Sequence, residues 1–168
     1  MFSLSLKHHL KTVLLLVSCI VASVPLTAQA DTPLTPKVKE AMAAMKVDAA
    51  KLGEPKVEGG ALFFGTKKID GDFTLVDSLK ARFGGTATFF VKKSDAFVRV
   101  STNVMKDGKR AVGTTLDPSG PAMAAIKQGK AYYGIVDILG KLYDTGYEPI
   151  KTSKGDVIGV YYVGQSME

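Results

Sequence analysis

Between residues 131 and 164 the apolar and polar positions fall into three strand-like stretches separated by turns. Residues 131–139 are rich in aromatic and β-branched side chains, which suit a pleated, half-buried surface. A turn at Gly140 and Lys141 leads into residues 142–150, and a second turn over 152–155 leads into 156–164. Strict alternation puts Tyr143, Thr145 and Tyr147 on one face of the middle strand and Asp144, Gly146 and Glu148 on the other. Tyrosines gathered on such strands suit a core boundary or a pocket wall, because the ring is apolar while the hydroxyl needs a partner.

Upstream, the period changes. Val38, Ala41, Met42, Met45, Ala49 and Leu52 recur at helical spacing, with Lys37, Lys39, Glu40 and Lys46 on the opposite side. Thr35 is the expected N-cap, Pro36 the first helical residue and Gly53 the stop. The methionines at this spacing read as core packing. Residues 55–60 read as a loop, 61–65 as a short apolar strand and 75–83 as a short helix stopped by Gly84 and Gly85. Residues 86–91 and 96–104 form an expected strand pair joined by a hairpin loop over 92–95. On the second of these strands, alternation puts Val98, Val100, Thr102 and Val104 on one face. Phe97, Arg99, Ser101 and Asn103 then fall on the other. A turn over 106–109, a short strand over 110–114, a breaker-rich loop over 117–121 and a helix from Pro121 to about Gln128 complete the order. This order predicts an α+β domain. Its antiparallel sheet has five or six strands, with the long N-terminal helix on one face and short helices and loops on the other. A concavity between sheet and loop cover is the natural place for a small ligand.

The first thirty residues stand apart. Lys7, His8, His9 and Lys11 make a basic start, residues 13–25 are largely apolar, and Ala28-Gln29-Ala30 has the small-x-small form of a signal-peptidase site. The expected organisation is a signal peptide over 1–30 and a single domain over 31–168, exported to the bacterial periplasm. Leu16-Val17-Ser18-Cys19 resembles a lipobox, but the apolar run before Cys19 is short for the core of a signal, so cleavage after Ala30 is the preferred reading. An apolar run of about thirteen residues also falls short of the roughly twenty that span a bilayer. The chain has one cysteine, Cys19, so the expected mature domain has no disulfide and no thiolate metal ligand.

Candidate chemistry is sparse. Both histidines lie in the leader, Ser101 and Ser119 lack the context of a nucleophile, and Gly84-Gly85 and Gly113-Thr114 lack the spacing of a phosphate loop. The 22 basic residues fall to 20 once Lys7 and Lys11 are removed, against 16 acidic, a formal charge of +4. They are scattered among predicted turns rather than clustered on a face with stacking aromatics, so a nucleic-acid partner is not expected. Asp137 and Asp144 face each other only if the hairpin register allows it. No enzyme activity, cofactor or metal is expected, and what persists is a set of arginine, hydroxyl and phenol groups on strands of one sheet. Arg99 or Arg110 can hold a carboxylate through paired hydrogen bonds, with Ser101, Thr114 and tyrosine hydroxyls to orient it.

Seven ordered blocks carry a family resemblance: GGTATFFV at 84–91, FVRVSTNV at 97–104, RAVGT at 110–114, GKAYYG at 129–134, ILG at 138–140, YDTGYEPI at 143–150 and VIGVYYVG at 157–164. Together they resemble the single Cache domain, the extracytoplasmic sensor of many bacterial chemoreceptors and histidine kinases. The resemblance implies a PAS-like sheet with a pocket for a small metabolite, often a short carboxylate. On that basis the expected ligand-binding residues are Arg99, Ser101, Arg110, Tyr133, Tyr143 and Tyr147. Receptor sensors are flanked by membrane spans, whereas this chain is expected to carry a cleavable leader instead. The expectation is therefore a periplasmic binding protein that buffers a metabolite or presents it to a separate membrane partner. The alternative is an interaction module whose pocket is filled by its own side chains.

Overall fold

A computed structural model describes residues 31–168, so the expectations for the leader and for Cys19 lie outside the described residues. The chain opens with helix α1 (Thr35–Ala50), which turns Val38, Ala41, Met42, Met45 and Ala49 inward. The N-cap is Leu34, not the expected Thr35. Thr32 Oγ1 accepts from the Leu34 N–H at 3.0 Å, and the Thr35 hydroxyl instead donates to Asp144 Oδ2 at 2.6 Å. Leu52, expected on the apolar face, lies past the helix end and is exposed.

Strands β1 (Pro55–Glu58), β2 (Ala61–Phe64) and β3 (Lys67–Lys68) form a small antiparallel sheet. Residues 55–58, expected as loop, become a strand because Gly59 and Gly60 both take positive φ (56° and 77°). That is the backbone a two-residue hairpin turn needs. Helix α2 (Thr74–Phe83) follows, then β4 (Thr86–Lys93) and β5 (Ala96–Thr102). The expected strand over 110–114 is reduced to β7 (Lys109–Arg110), paired with β6 (Met105–Lys106), and a single bridge between Thr115 and Val98. Helix α3 (Pro121–Lys127) precedes β8 (Tyr132–Asp137), β9 (Leu142–Lys151) and β10 (Val157–Ser166).

The main sheet has five antiparallel strands in the order β5-β4-β10-β9-β8, so the first and last strands of the sequence block meet at its centre. Each face carries its own core. Toward α1 and α2, Phe64, Phe89 and Tyr161 cluster with ring centroids 5.7–6.1 Å apart, backed by Met42, Met45 and Leu79. Toward α3, Phe90, Phe97, Val160, Tyr147 and Tyr162 pack with Met123 and Ile126. This is the α+β architecture that the periodicity predicts.

One departure from alternation controls the rest. Phe89 pairs with Ser101 and Phe90 with Arg99, so Val100 is an extra residue in β5, a bulge that turns every following side chain to the opposite face. Phe97 and Arg99 keep the α3 face, while Val100 joins the core under α1. Ser101 Oγ donates to Asp72 O at 2.5 Å, and Asn103 Nδ2 donates to Val76 O at 2.7 Å. Thr102 meets Thr88 at 2.6 Å between hydroxyl oxygens.

Candidate functional site

Beneath α3 the sheet leaves a cavity of about 180 Å³. Its floor is Arg99 from β5 and Tyr147 from β9. One wall is the segment Thr115, Leu116 and Asp117 with the start of α3 at Pro121 and Ala122, and the facing wall is the end of β8 with the turn that follows, including Val136, Asp137, Ile138 and Leu139.

Arg99 is the unusual residue. It is 5% exposed, yet no ion pair among the described residues includes it. Its Nη1 donates to Thr114 Oγ1 at 2.6 Å, its guanidinium lies 5.1 Å from the centre of the Phe90 ring, and its Nε is buried with no acceptor. Burial pushes its pKa down, and the phenols of Tyr147 and Tyr162 oppose that shift. An arginine keeps its charge at neutral pH, so the cavity floor is a poorly solvated cation with donor capacity to spare.

Tyr147 lies in a row of three tyrosines set directly across β8, β9 and β10, with centroid spacings of 6.3 Å to Tyr132 and 4.9 Å to Tyr162. Burial pushes its phenol pKa well up, reinforced by Tyr162 and opposed by Arg99. Asp117 accepts from the Ser119 N–H at 2.9 Å and the Ser119 hydroxyl at 2.8 Å, which hold its carboxyl below the usual range. Asp137 Oδ1 accepts from Gly140 N–H at 2.7 Å.

The six expected site residues divide. Arg99 and Tyr147 line the cavity, and Tyr143 packs with the same core on the same face. Ser101 is carried to the other face by the bulge. Tyr133 also faces α1, where its hydroxyl donates to Glu148 Oε1 at 2.6 Å. Arg110 is spent on structure: it donates twice to Asp77 of α2, at 2.8 Å each, once to Thr102 O at 2.9 Å, and stacks 4.3 Å from the Phe73 ring. Asp137 and Asp144 do not meet, because Asp137 pairs with Leu142 and Asp144 with Ile135. The cavity lining also includes Asp117 and Leu139, which the sequence did not single out. The Asp-Pro-Ser-Gly-Pro run signalled only a loop, although an aspartate two residues before a serine in such a run is also a signal for a fixed carboxylate. Among the described residues no group of three or more histidine, cysteine, aspartate or glutamate side chains is arranged to hold a metal ion, and no helix is long and apolar enough to cross a membrane.

Comparison with known proteins gives one family. The model of the Cache 3/Cache 2 fusion domain matches residues 20–168. No curated protein matches the chain. Among solved structures, one named methyl-accepting chemotaxis protein X is similar at 19% identity and a TM-score of 0.46, over 79% of this chain and 56% of that one. The ligand-binding domain of the Campylobacter jejuni chemoreceptor Tlp3, solved with L-valine, is similar at 13% identity and a TM-score of 0.44, over 79% of this chain and 58% of that one. The chain thus spans a little over half the length of either structure.

Proposed function

Because the chain belongs to the Cache 3/Cache 2 fusion domain family, whose members sense small molecules outside the cytoplasm, we propose that it binds a small organic acid in the cavity floored by Arg99 and Tyr147 and leaves it chemically unchanged. The observation that carries this reading is the buried Arg99 guanidinium with an unpartnered Nε and no acidic neighbour in ion-pair range. A carboxylate in the cavity supplies the charge that this guanidinium lacks and can accept a charge-assisted hydrogen bond from it. The volume of about 180 Å³ matches a molecule of a few heavy atoms rather than a peptide or a nucleotide.

Asp117 and Asp137 refine the class. Two carboxylates in the walls repel a second acid group on the ligand and attract an ammonium. An amino acid therefore ranks above a dicarboxylate. Residues 1–30 act as the export leader in this reading, the single domain over 31–168 works in the periplasm, and the loaded form is presented to a separate membrane sensor for signal transduction or chemotaxis.

The test is a melting screen of the purified protein with short monocarboxylates, dicarboxylates, amino acids, amines and purines. A binder at 100 times its dissociation constant raises stability by about 2.7 kcal/mol. A panel in which no compound shifts the melting temperature sinks the proposal and favours an interaction module with a self-filled pocket.

A further inference from the structure

Three non-glycine residues of the described chain have positive φ: Ser94 at 51°, Asp107 at 50° and Leu139 at 56°. The first two are polar and sit in hairpin loops, where serine and aspartate are common. Leu139 is different. It is an apolar γ-branched residue held in the left-handed region, which disfavours the folded state by roughly tenfold relative to a glycine or asparagine there. It is also 46% exposed, so it recovers little by burial. Both penalties fall on a side chain that lines the Arg99 cavity.

The turn itself is fixed from several sides. Ile138 N–H donates to Lys141 O at 2.8 Å, Lys141 N–H to Ile138 O at 3.4 Å, and Gly140 N–H to Asp137 Oδ1 at 2.7 Å. Gly140 has φ of 86°, so the two central residues form the left-handed pair of a tight hairpin. The fold needs that backbone, and asparagine or glycine would supply it without strain. A leucine there is explained by what its side chain touches.

We propose that Leu139 is a specificity-determining contact, completing an apolar subsite with Leu116, Pro121, Val136 and Ile138 that covers a hydrocarbon side group of the bound acid. This rests on the reading of Arg99 as the carboxylate anchor. The ligand class becomes a small acid with an apolar substituent, and Leu139 discriminates by size. Each methylene buried against it adds roughly fourfold in affinity.

Calorimetric titration of the full-length protein tests this with two graded series: acetate through hexanoate, and glycine, alanine, valine and leucine. The expected result is that affinity rises with side-group size. In Leu139→Asn and Leu139→Gly that rise flattens by about tenfold, while the melting temperature without ligand stays level or increases. A structural role for Leu139 would lower that melting temperature and leave the size preference intact, which overturns the proposal. Retained size preference in both variants overturns it too, and leaves binding through Arg99 standing. If no member of either series binds the unaltered protein, this proposal is overturned, and the wider melting screen decides separately whether binding through Arg99 stands.

Discussion

Replacing Arg99 by methionine separates a binding arginine from a structural one. Methionine keeps the apolar stem and removes the cation. The losses are one charged hydrogen bond to Thr114 and the contact with Phe90, worth about 1.5–3 and 0.5–2 kcal/mol. Against them stands the release of a buried cation whose Nε has no acceptor, which itself costs about 1–3 kcal/mol. Thr114 Oγ1 still donates to Ala111 O, so nothing else is orphaned. At the midpoints of these ranges the losses exceed the release by about 1.5 kcal/mol, a fall of roughly 6 °C in a domain of this size. Breaking a structural buried ion pair would instead cost about 3–5 kcal/mol. Thermal unfolding of both proteins, with and without the strongest compound from the screen, reads both quantities. Arg99→Met should melt roughly 6 °C below the unaltered protein and lose the ligand-induced rise. A fall of more than about 12 °C without ligand, or a ligand shift that survives the substitution, refutes the reasoning.

Gly146→Ala should destabilise by about 1–3 kcal/mol in chemical denaturation, because its Cβ would lie 2.7 Å from the Tyr133 ring and 3.2 Å from Val38. Tyr133→Phe should cost about 1.5–3 kcal/mol by removing the bond to the Glu148 carboxylate and leave ligand affinity unchanged, since Tyr133 faces α1. In alkali, burial holds the phenols of Tyr147, Tyr161 and Tyr162 above their ordinary value of 10.0. The unfolded chain then releases protons that the folded one keeps, so stability is full below pH 10 and falls above it, and phenolate absorbance should rise together with unfolding. In acid, Asp72 is held low chiefly by its bond from Lys67 and Asp48 by its bond from Lys51. Their contribution is present above the ordinary value of 3.8 and is lost as pH falls below it. Asp72→Asn should flatten the acid limb of melting temperature against pH.

The periodic parts of this fold are legible in the sequence, since α1 and β9 each follow a single uninterrupted pattern. Tyr143, Thr145 and Tyr147 share a face as alternation requires. The parts that escaped are those where a neighbour decides. The bulge at Val100 has no local signature, and it sends Ser101 away from Arg99 while leaving Arg99 on the cavity floor. The two arginines are equivalent as sequence, but only Arg110 finds an aspartate, because α2 carries Asp77 to within reach. Tyr133 and Tyr147 differ by which side of the sheet their strand position faces. Leu139 looked like the last residue of a strand, and its left-handed backbone follows from the hairpin that Gly140 closes.

Strand β9 serves both sides of the molecule. Tyr147 points into the cavity, while Asp144, 1% exposed, accepts from Thr32 and Thr35 at the head of α1, and Glu148 accepts from Lys46 two-thirds of the way along that helix. From Asp144 to Glu148 the strand advances about 14 Å, and from Thr35 to Lys46 the helix rises about 16 Å. Two segments of nearly matched length, one within β9 and one within α1, are therefore joined at two points and run in the same direction. If the proposed acid is bound on Tyr147, a tilt or slide of β9 beneath it would be passed to α1 through these two contacts, and the helix would become the pointer on which occupancy is read from outside.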